Sequence, residues 1–316
     1  MSYPIPSSDD LGKVASALVP LVHRTPVLTS RLADELTGAK VFFKCENFQK
    51  SGSFKMRGAL NAILSLSEHQ RKAGVVTHSS GNFGQAVALA ASNLGVTAHI
   101  VMPNNAPQVK KSAVKAYGGR VIECEPTLEA RERESARVVK ATGASFLHPS
   151  NQLEVILGNA TAAMELWDEQ PELDVLMTPV GGGGLIAGTA LAAHHFGHNC
   201  IAIAGEPMEV DDAYRSLRSG RIETNSSANT IADGLRTTLG DVNFPIIREL
   251  VSEIIRVEEE EIVQAMRFVW ERLKIIIEPS CAVPFAALVK EKHRFKGRSV
   301  GIILSGGNVD LSKLPF

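Results

Sequence analysis

Short apolar runs alternate with helical patterns along almost the whole chain. The runs have the length of buried strands, and the segments between them repeat apolar positions at helical spacing. This alternation is typical of βαβ units, so it predicts an α/β fold with mostly parallel sheets flanked by helices. Strands are predicted at Lys40–Cys45, Gly74–His78, Thr97–Met102, Arg120–Cys124, Val175–Val180, Cys200–Ala204 and Ser299–Leu304, and helices at Gly84–Leu94, Leu128–Thr142, Asn159–Glu169, Leu185–Phe196 and Glu258–Ile275.

The overall charge argues against one broad class of function. The 316 residues carry 33 Lys and Arg against 34 Asp and Glu, a formal net charge of −1. A chain that binds nucleic acid would show a basic excess, so we expect no nucleic acid as the main partner. The length leaves room for two domains.

A cytoplasmic setting without a membrane is expected. The longest apolar stretch, Met177–Ala193, is interrupted by Pro179 and by glycines, so it does not predict a membrane span. Met1–Ser16 lacks the apolar segment of a secretory signal. The four cysteines form no CxxC pair of the kind found in disulfide or zinc frameworks.

Four consecutive glycines, Gly181–Gly184, connect a predicted buried strand to a predicted helix. Successive backbone N–H groups in such a turn can point at one anion, and the positive end of the helix adds to the attraction, so a phosphate is expected there. Gly182, Gly184 and Ala187 also fit the G-x-G-x-x-A dinucleotide fingerprint, with Glu206 near the end of the next strand. A nicotinamide-dependent oxidoreductase therefore stays open as an alternative.

Lys55 lies in a turn of small residues, Ser51–Gly58, between a predicted strand and a helical pattern. A lysine amine in a partly desolvated pocket has a lowered pKa and can form a Schiff base with an aldehyde. An ordinary solvated lysine is the alternative, and a non-catalytic binding protein would be consistent with it.

Two further polar turns follow predicted strands. Ser79–Gln85 offers hydroxyls, an amide and N–H groups suited to a carboxylate or a ring hydroxyl, and Ser305–Asn308 offers one hydroxyl beside two glycines. A dinucleotide site would explain neither turn, nor Lys55. The lysine, the phosphate site, the carboxylate site and the lone hydroxyl together match what pyridoxal 5′-phosphate and an amino-acid substrate require.

With these residues the chain resembles the fold-type II pyridoxal-phosphate enzymes, which are tryptophan synthase β-like in fold, and within them the serine racemases and short serine/threonine dehydratases. The resemblance runs from about Thr25 to Asp310. The motifs that carry it are Thr25–Leu28, Lys44–Glu46, Ser53–Lys55, Ser79–Asn82, Gly181–Gly184, Gly205–Pro207, Ile277–Pro279 and Ser305–Asn308.

The resemblance implies a role for each residue that would face the cofactor. A hydroxyl on the pyridine nitrogen cannot keep that nitrogen protonated, so elimination or racemisation is expected rather than transamination. Lys55 would carry the cofactor as a Schiff base, Phe54 would pack near the ring, Asn82 would contact the ring hydroxyl, Gly181, Gly182, Gly183, Gly184 and the Leu185 N–H would hold the phosphate, and Ser305 would contact the pyridine nitrogen.

The resemblance also implies residues for the substrate. Lys55 would be the base on one face of the α-carbon and Ser80 the acid or base on the opposite face, which permits racemisation. Arg131 matches an arginine that reaches the acidic end of ligands, with a solvated helix face as the alternative. The substrate carboxylate would be bound by the turn Ser79, Ser80, Gly81 and Asn82.

A divalent-cation site is implied by Glu206 and Asp212 together with the backbone carbonyl of Val210. Oxygen ligands of this kind suit Mg²⁺, Ca²⁺ or Mn²⁺. The alternative is a simple turn at the end of the strand.

The chain departs from the family pattern in a few places. Phe83 stands where many relatives have histidine, and Asn159 stands where the usual motif has glutamine. Arg31 replaces a small hydroxyl residue of the ATP-regulated racemases, although Ser30 and Lys50 agree with them. ATP therefore stays open as an effector.

The resemblance implies two domains and a homodimer. A large pyridoxal-phosphate-binding domain would comprise residues 1–73 and 152–316, and a small substrate-gripping domain residues 74–151, whose closure would exclude water. The expected reaction is dehydration and deamination of a β-hydroxy amino acid, L-serine or L-threonine, to a 2-oxo acid and ammonia, with serine racemisation in parallel. The alternatives within the family are a 3-hydroxyaspartate dehydratase and an aspartate or serine racemase.

Overall fold

Two separate sheets form the framework of the protein. The structure is a computed structural model and describes residues 5–316. The strands are β1 Val27–Thr29, β2 Lys40–Cys45, β3 Val75–His78, β4 Ala98–Pro103, β5 Arg120–Cys124, β6 Ser145–Phe146, β7 Val175–Pro179, β8 Ile201–Pro207, β9 Val251–Val257 and β10 Ser299–Leu304. In this part of the chain a six-stranded sheet has the order β1-β2-β10-β7-β8-β9, and a four-stranded sheet has the order β5-β4-β3-β6.

Helices cover the faces of both sheets. Their ends follow local rules: the Ser7 side chain caps the helix Ser8–Leu18, and Gly38 and Gly143 end the helices Arg31–Thr37 and Leu128–Thr142 in the left-handed conformation. The helices are α1 Ser8–Leu18, α2 Arg31–Thr37, α3 Lys55–Leu64, α4 Glu68–Ala73, α5 Asn82–Asn93, α6 Gln108–Ala116, α7 Leu128–Thr142, α8 Leu153–Glu169, α9 Gly184–Phe196, α10 Asp212–Ser219, α11 Asn243–Leu250, α12 Glu259–Phe268, α13 Pro279–Lys290 and α14 Lys292–Phe295.

Every predicted strand is present: three of the seven have the predicted bounds, and the other four differ by one to three residues at an end. The strands that the pattern missed are β1, β6 and β9, and each lies at an edge of its sheet. An edge strand has one open side, so its apolar run is shorter or broken by polar residues. The predicted helix Glu258–Ile275 is also corrected: α12 stops at Phe268, and a π-helical turn, Val269–Leu273, follows it.

The small sheet is built from one continuous stretch of the chain. Its strands β3 to β6 lie between Val75 and Phe146, inside the predicted small domain of residues 74–151. The exact domain boundaries stay a prediction, and residues 1–4 of the predicted large domain lie outside the described residues. Among residues 5–316, no helix is both long and apolar enough to cross a membrane.

The direction of the strands brings several turns together. In the large sheet β2, β10, β7 and β8 are mutually parallel neighbours, so the turns that follow them lie along one edge. In the small sheet β3 and β6 are parallel neighbours as well. Turns at the carboxyl ends of parallel strands are the usual place for a ligand in such folds.

Candidate active site

Lys55 starts α3 in a turn that is tied to the end of β10. The Phe54 N–H donates a hydrogen bond to the carbonyl oxygen of Ser305 at 3.0 Å. Ser53 forms an isolated antiparallel bridge with Gly306. The two turns predicted from separate motifs are therefore joined through the backbone.

The Lys55 amine is enclosed on several sides. Its Nζ donates to the carbonyl oxygen of Pro149 at 2.7 Å and lies 4.9 Å from the ring centroid of Phe54 and 5.6 Å from that of Phe83. Burial lowers the pKa of Lys55 to about 8, although the nearby Glu278 carboxylate acts in the opposite direction. A larger fraction of this amine is therefore neutral near neutral pH than for a lysine in water.

The glycine turn Gly181–Gly184 lies against the connection that carries Pro149. All four glycines are buried, and Gly183 has a φ of 80°, in the left-handed region. A Cβ on Gly182 would lie 2.4 Å from the Ser150 Oγ, so no side chain fits there. Pro149 and Ser150 therefore lie between the glycine turn and the Lys55 amine: Pro149 contacts the amine, and Ser150 lies against Gly182.

The turn Ser79–Asn82 follows β3 and faces the same region. Asn82 starts α5, and its Nδ2 donates to both carboxylate oxygens of Glu278, at 2.9 and 3.0 Å. Its Oδ1 accepts a hydrogen bond from the Asn308 Nδ2 at 2.9 Å. Ser80 is partly buried in the turn. The orientation of the Asn82 amide is therefore set by two side chains from the large-sheet part of the chain.

Glu278 is a site residue that sequence reasoning did not assign. The carboxyl group is buried, and this burial raises its pKa to about 7. Its motif, Ile277–Pro279, contributed to the resemblance, but the residue pattern contains no signal for its contact with Asn82. Close to neutral pH this carboxyl group can hold or release a proton beside the Lys55 amine.

Two histidines and an arginine form the rim of the site: His78 ends β3, His148 follows β6 and Arg131 lies on α7. The Nδ1 of His148 accepts hydrogen bonds from the N–H groups of Ser150, at 3.2 Å, and Asn151, at 2.8 Å. That nitrogen is therefore unprotonated, and the hydrogen of the neutral ring is on Nε2. Burial lowers the pKa of His148 to about 4; burial, and then the charge of Arg131, lowers that of His78.

The predicted metal ligands lie close together in sequence and are buried. The Glu206 carboxylate, in β8, accepts two backbone hydrogen bonds: its Oε1 from the Ala213 N–H at 2.9 Å and its Oε2 from the Tyr214 N–H at 2.8 Å. Within residues 5–316, the Asp212 Oδ2 is buried without a hydrogen-bond partner. Burial raises the pKa of Glu206 well above its usual value and that of Asp212 to about 6. Val210, whose carbonyl was predicted as the third ligand, is buried in a short 3₁₀ turn.

This region contains two acidic side chains rather than a larger cluster. In the described part of the chain no group of three or more His, Cys, Asp and Glu side chains is arranged to hold a metal ion. A cation between Glu206 and Asp212 would need backbone oxygen or water to complete its coordination.

Comparisons with known proteins agree with this geometry. The chain is 48% identical to a serine racemase of Dictyostelium discoideum over 309 residues, covering 96% of this chain and 95% of that protein. It is 45% identical to a beta-hydroxyaspartate dehydratase of Paracoccus denitrificans, covering 99% of both. The solved structure of maize serine racemase superposes with a TM-score of 0.95 at 45% identity, covering 98% of this chain and 95% of the other.

These similarities confirm the predicted fold class, a fold-type II α/β architecture. The family model described as "Pyridoxal-phosphate dependent enzyme" matches residues 18–306, which is most of the chain. This family match supports pyridoxal phosphate as the cofactor, so the nicotinamide alternative is set aside. The chain belongs to the family of pyridoxal-phosphate-dependent enzymes.

Proposed function

We propose that the protein removes water from a β-hydroxy amino acid, L-serine or L-threonine, to give a 2-oxo acid and ammonia, and that it racemises serine in parallel. The observation that carries this proposal is the Lys55 amine, enclosed by two phenylalanine rings and with a pKa lowered to about 8. The Ser79–Asn82 turn borders the same site, because Asn82 contacts Glu278, the carboxylate that lies near the Lys55 amine.

The residues present fit pyridoxal 5′-phosphate. The buried glycine turn leads directly into the N-terminus of α9, where backbone N–H groups can bind a phosphate, and Ser305 offers a single hydroxyl rather than an acid at the end of β10. When bound, the cofactor withdraws electrons from the substrate α-carbon. Lys55 would bind the aldehyde, Gly181–Gly184 and the Leu185 N–H the phosphate, and Ser305 the ring nitrogen.

The proton transfers would be carried by two residues on opposite faces of the substrate. Lys55 would remove the α-proton on one face, and its lowered pKa makes the neutral amine available near neutral pH. Ser80 would act on the other face, where a returned proton inverts the configuration. The N–H and hydroxyl groups of Ser79–Asn82 would hold the substrate carboxylate, and closure of the small sheet over the site would exclude water.

The test is a steady-state assay of L-serine, D-serine and L-threonine with chiral analysis of the products. Lys55→Ala should lower ammonia release by at least about 10²-fold, the usual scale of a general base. Ser80→Ala should suppress formation of D-serine more than formation of pyruvate, with the exposed Ser16→Ala as the control. Equal losses of both products in Ser80→Ala would contradict the two-face assignment.

A second candidate substrate is 3-hydroxyaspartate. Arg131 and His78 interact electrostatically at the rim, and His148 presents a neutral Nε2–H in the same region. These groups suit a second carboxylate, and a relative with a similar sequence is named for β-hydroxyaspartate.

A matched pair of variants on one helix tests this substrate. Arg131→Met should lower kcat/KM for 3-hydroxyaspartate about tenfold while leaving L-serine nearly unaffected, because it removes one charge-assisted contact. Arg133→Met, which removes an exposed arginine that pairs with Glu129, is the control. If both variants behave alike with both substrates, Arg131 does not bind the side-chain carboxylate.

We also propose a divalent cation at Glu206, Asp212 and the Val210 carbonyl. Two buried acids with raised pKa values and an unpartnered Asp212 Oδ2 support it. The competing role is structural, because Glu206 also accepts two N–H groups at the start of α10. Chelation should lower the thermal stability of the wild type, and Asp212→Asn should remove that response; a wild type insensitive to chelators and to added Mg²⁺, Ca²⁺ and Mn²⁺ would leave only the structural role.

A homodimer, ATP as an effector, the cytoplasmic setting and the boundaries at residues 74 and 151 are further proposals. The Lys50 Nζ donates to the Leu21 carbonyl at 2.7 Å, and the Ser30 hydroxyl caps α2, so a nucleotide would have to compete with both contacts. Sedimentation in the presence and absence of ATP, combined with activity measurements, tests the oligomer and the effector together.

A further inference from the structure

One buried side chain holds the glycine turn from outside the family motifs. Asn243 is the first residue of α11 and has no solvent exposure. Its Nδ2 donates to the carbonyl oxygen of Gly182 at 2.8 Å and to that of Ser150 at 3.2 Å. Its Oδ1 accepts the N–H of Gly240 at 3.1 Å. The amide is therefore fully committed to three backbone groups.

The contact with Gly182 determines the direction of the next N–H group. In a trans peptide the C=O and the N–H point in opposite directions. Because the Gly182 carbonyl points at Asn243, the N–H of Gly183 points away from Asn243, on the other side of the turn. Four consecutive glycines have many accessible backbone conformations, so an external contact is needed to select one.

The surroundings leave this peptide little freedom to rotate. Gly183 has a φ of 80°, and a Cβ on it would lie 2.8 Å from the Asn243 Oδ1. A peptide flip would break the hydrogen bond between Asn243 and Gly182 and leave a buried carbonyl without a partner, which is unfavourable.

We infer that Asn243 is a positioning residue for the phosphate: it fixes the Gly182–Gly183 peptide so that the Gly183 N–H is presented to the anion. The inference rests on the proposed phosphate site at Gly181–Gly184. Asn243 does not touch the phosphate itself, so its effect is on the orientation of a donor and not on charge.

A neighbouring asparagine extends the same network towards Lys55. The Asn151 Oδ1 accepts the N–H of Val242 at 2.8 Å, and its Nδ2 donates to Asp241 at 2.7 Å. Asn151 lies two residues after Pro149, whose carbonyl accepts the Lys55 amine. The segment around the start of α11 is thereby hydrogen-bonded both to the glycine turn, through Asn243, and to the connection that carries Pro149, through Asn151.

The experiment compares two forms of the vitamer on the cofactor-free full chain. Asn243→Ala should raise the dissociation constant for pyridoxal 5′-phosphate about tenfold, the equivalent of about 1.4 kcal/mol and within the range for one lost buried hydrogen bond. The dissociation constant for pyridoxal, which lacks the phosphate, should stay within about twofold, because Lys55 and its surroundings are unchanged. Asn243→Leu keeps a similar volume and removes the donor without adding a charge beside the anion, so it should show the same selective loss if alanine prevents folding.

Asn61→Ala is the matched control. Its Nδ2 also donates to a backbone carbonyl, that of the partly buried Glu154, at 2.7 Å, but on α8 rather than on the glycine turn. It should lower the thermal stability comparably and leave both dissociation constants unchanged. The inference is overturned if both Asn243 variants bind the phosphorylated vitamer like the wild type, or if they lose affinity for pyridoxal to the same extent.

The outcome also separates this inference from the proposed function. A wild-type protein that binds neither vitamer would refute the proposed function itself. A wild type that binds the phosphorylated form, with Asn243 variants that bind it equally well, would refute the positioning role alone. ³¹P NMR of the bound phosphate gives an independent readout, because a displaced Gly183 N–H should shift the phosphorus resonance in the Asn243 variants and not in Asn61→Ala.

Discussion

Arg57, two residues after Lys55 on α3, offers the sharpest test of how the site is supported. The guanidinium has no solvent exposure. It contacts Glu46 through Nε and Nη2, at 2.7 and 2.8 Å, and Glu165 through Nη1 and Nη2, at 2.7 and 2.8 Å. The Lys44 Nζ is a second partner of Glu165, at 2.7 Å. Substitution of Arg57 by methionine keeps most of the volume and removes the charge.

The structure predicts which carboxylate suffers from the Arg57→Met change. Glu165 retains Lys44, whereas Glu46, also without exposure, is left with the Thr25 hydroxyl at 2.6 Å as its side-chain donor. Removing one partner of a buried pair costs about 3–5 kcal/mol, and because one carboxylate stays paired we expect about 3 kcal/mol. For a chain of this size that corresponds to a fall in Tm on the order of 5–10 °C.

A double-mutant cycle with Glu46→Gln gives the decisive measurement. In the wild-type background Glu46→Gln should destabilise, because it weakens a bidentate pair. In the Arg57→Met background the same change should stabilise, because it removes an uncompensated buried charge. The coupling free energy from urea unfolding should be at least about 1.5 kcal/mol.

The control is an exposed pair of the same length. Arg31 and Glu35 are also 2.7 Å apart, but both side chains are mostly exposed, so Arg31→Met should change the unfolding free energy by less than about 0.5 kcal/mol. The reasoning is refuted if Arg57→Met costs no more than Arg31→Met, or if Glu46→Gln destabilises equally in both backgrounds.

Three further predictions concern titration and packing. In the cofactor-free protein, acylation of Lys55 should have its midpoint near pH 8, because the cost of the buried charge is present below that pH and disappears above it; a midpoint near 10.5 would contradict the burial. Gly158→Ala should destabilise by at least about 2 kcal/mol, because its Cβ would lie 2.5 Å from a carbonyl oxygen of α3, whereas Gly12→Ala, with nothing within 4 Å, should be neutral or stabilising in thermal unfolding. His148, with a folded pKa of about 4 against 6.5 because of its burial, should give NMR ring signals that do not titrate between pH 6 and 8, and its contribution to stability should be lost as the pH falls from 6.5 towards 4; titration near 6.5 would contradict the burial of its ring.

The parts of the fold that were predictable are those with strong local patterns. The buried central strand Val175–Pro179 is apolar except for Thr178 and was found, whereas the edge strand Val251–Val257 is interrupted by Ser252, Glu253 and Arg256 and was missed. The helix predicted to start at Asn159 starts at Leu153. Its N-cap residue, Gln152, makes no side-chain capping hydrogen bond, so the sequence contains no capping signal that would mark this start.

The same distinction between local patterns and long-range contacts applies to the residues of the site. The turns with Lys55, the four glycines and Ser305 were predictable because each is a short motif at the end of a strand. Glu278, His148 and Asn243 were not, because Glu278 contacts Asn82, the His148 ring lies near that of His78, and Asn243 contacts Gly182, all far away in the chain. No local pattern around Asn243 indicates that its amide meets a carbonyl 61 residues earlier.

The acceptor of the Lys55 amine lies on the polypeptide that leaves the small sheet. Pro149 belongs to the connection between β6 and α8, and the two residues after it are bound to α11 and to the segment before it. Its carbonyl would therefore stay beside the Lys55 amine if the small sheet swung outward, so the amine would keep its backbone acceptor with the cleft open or closed. The nucleophile would in that case be aimed before any substrate arrives.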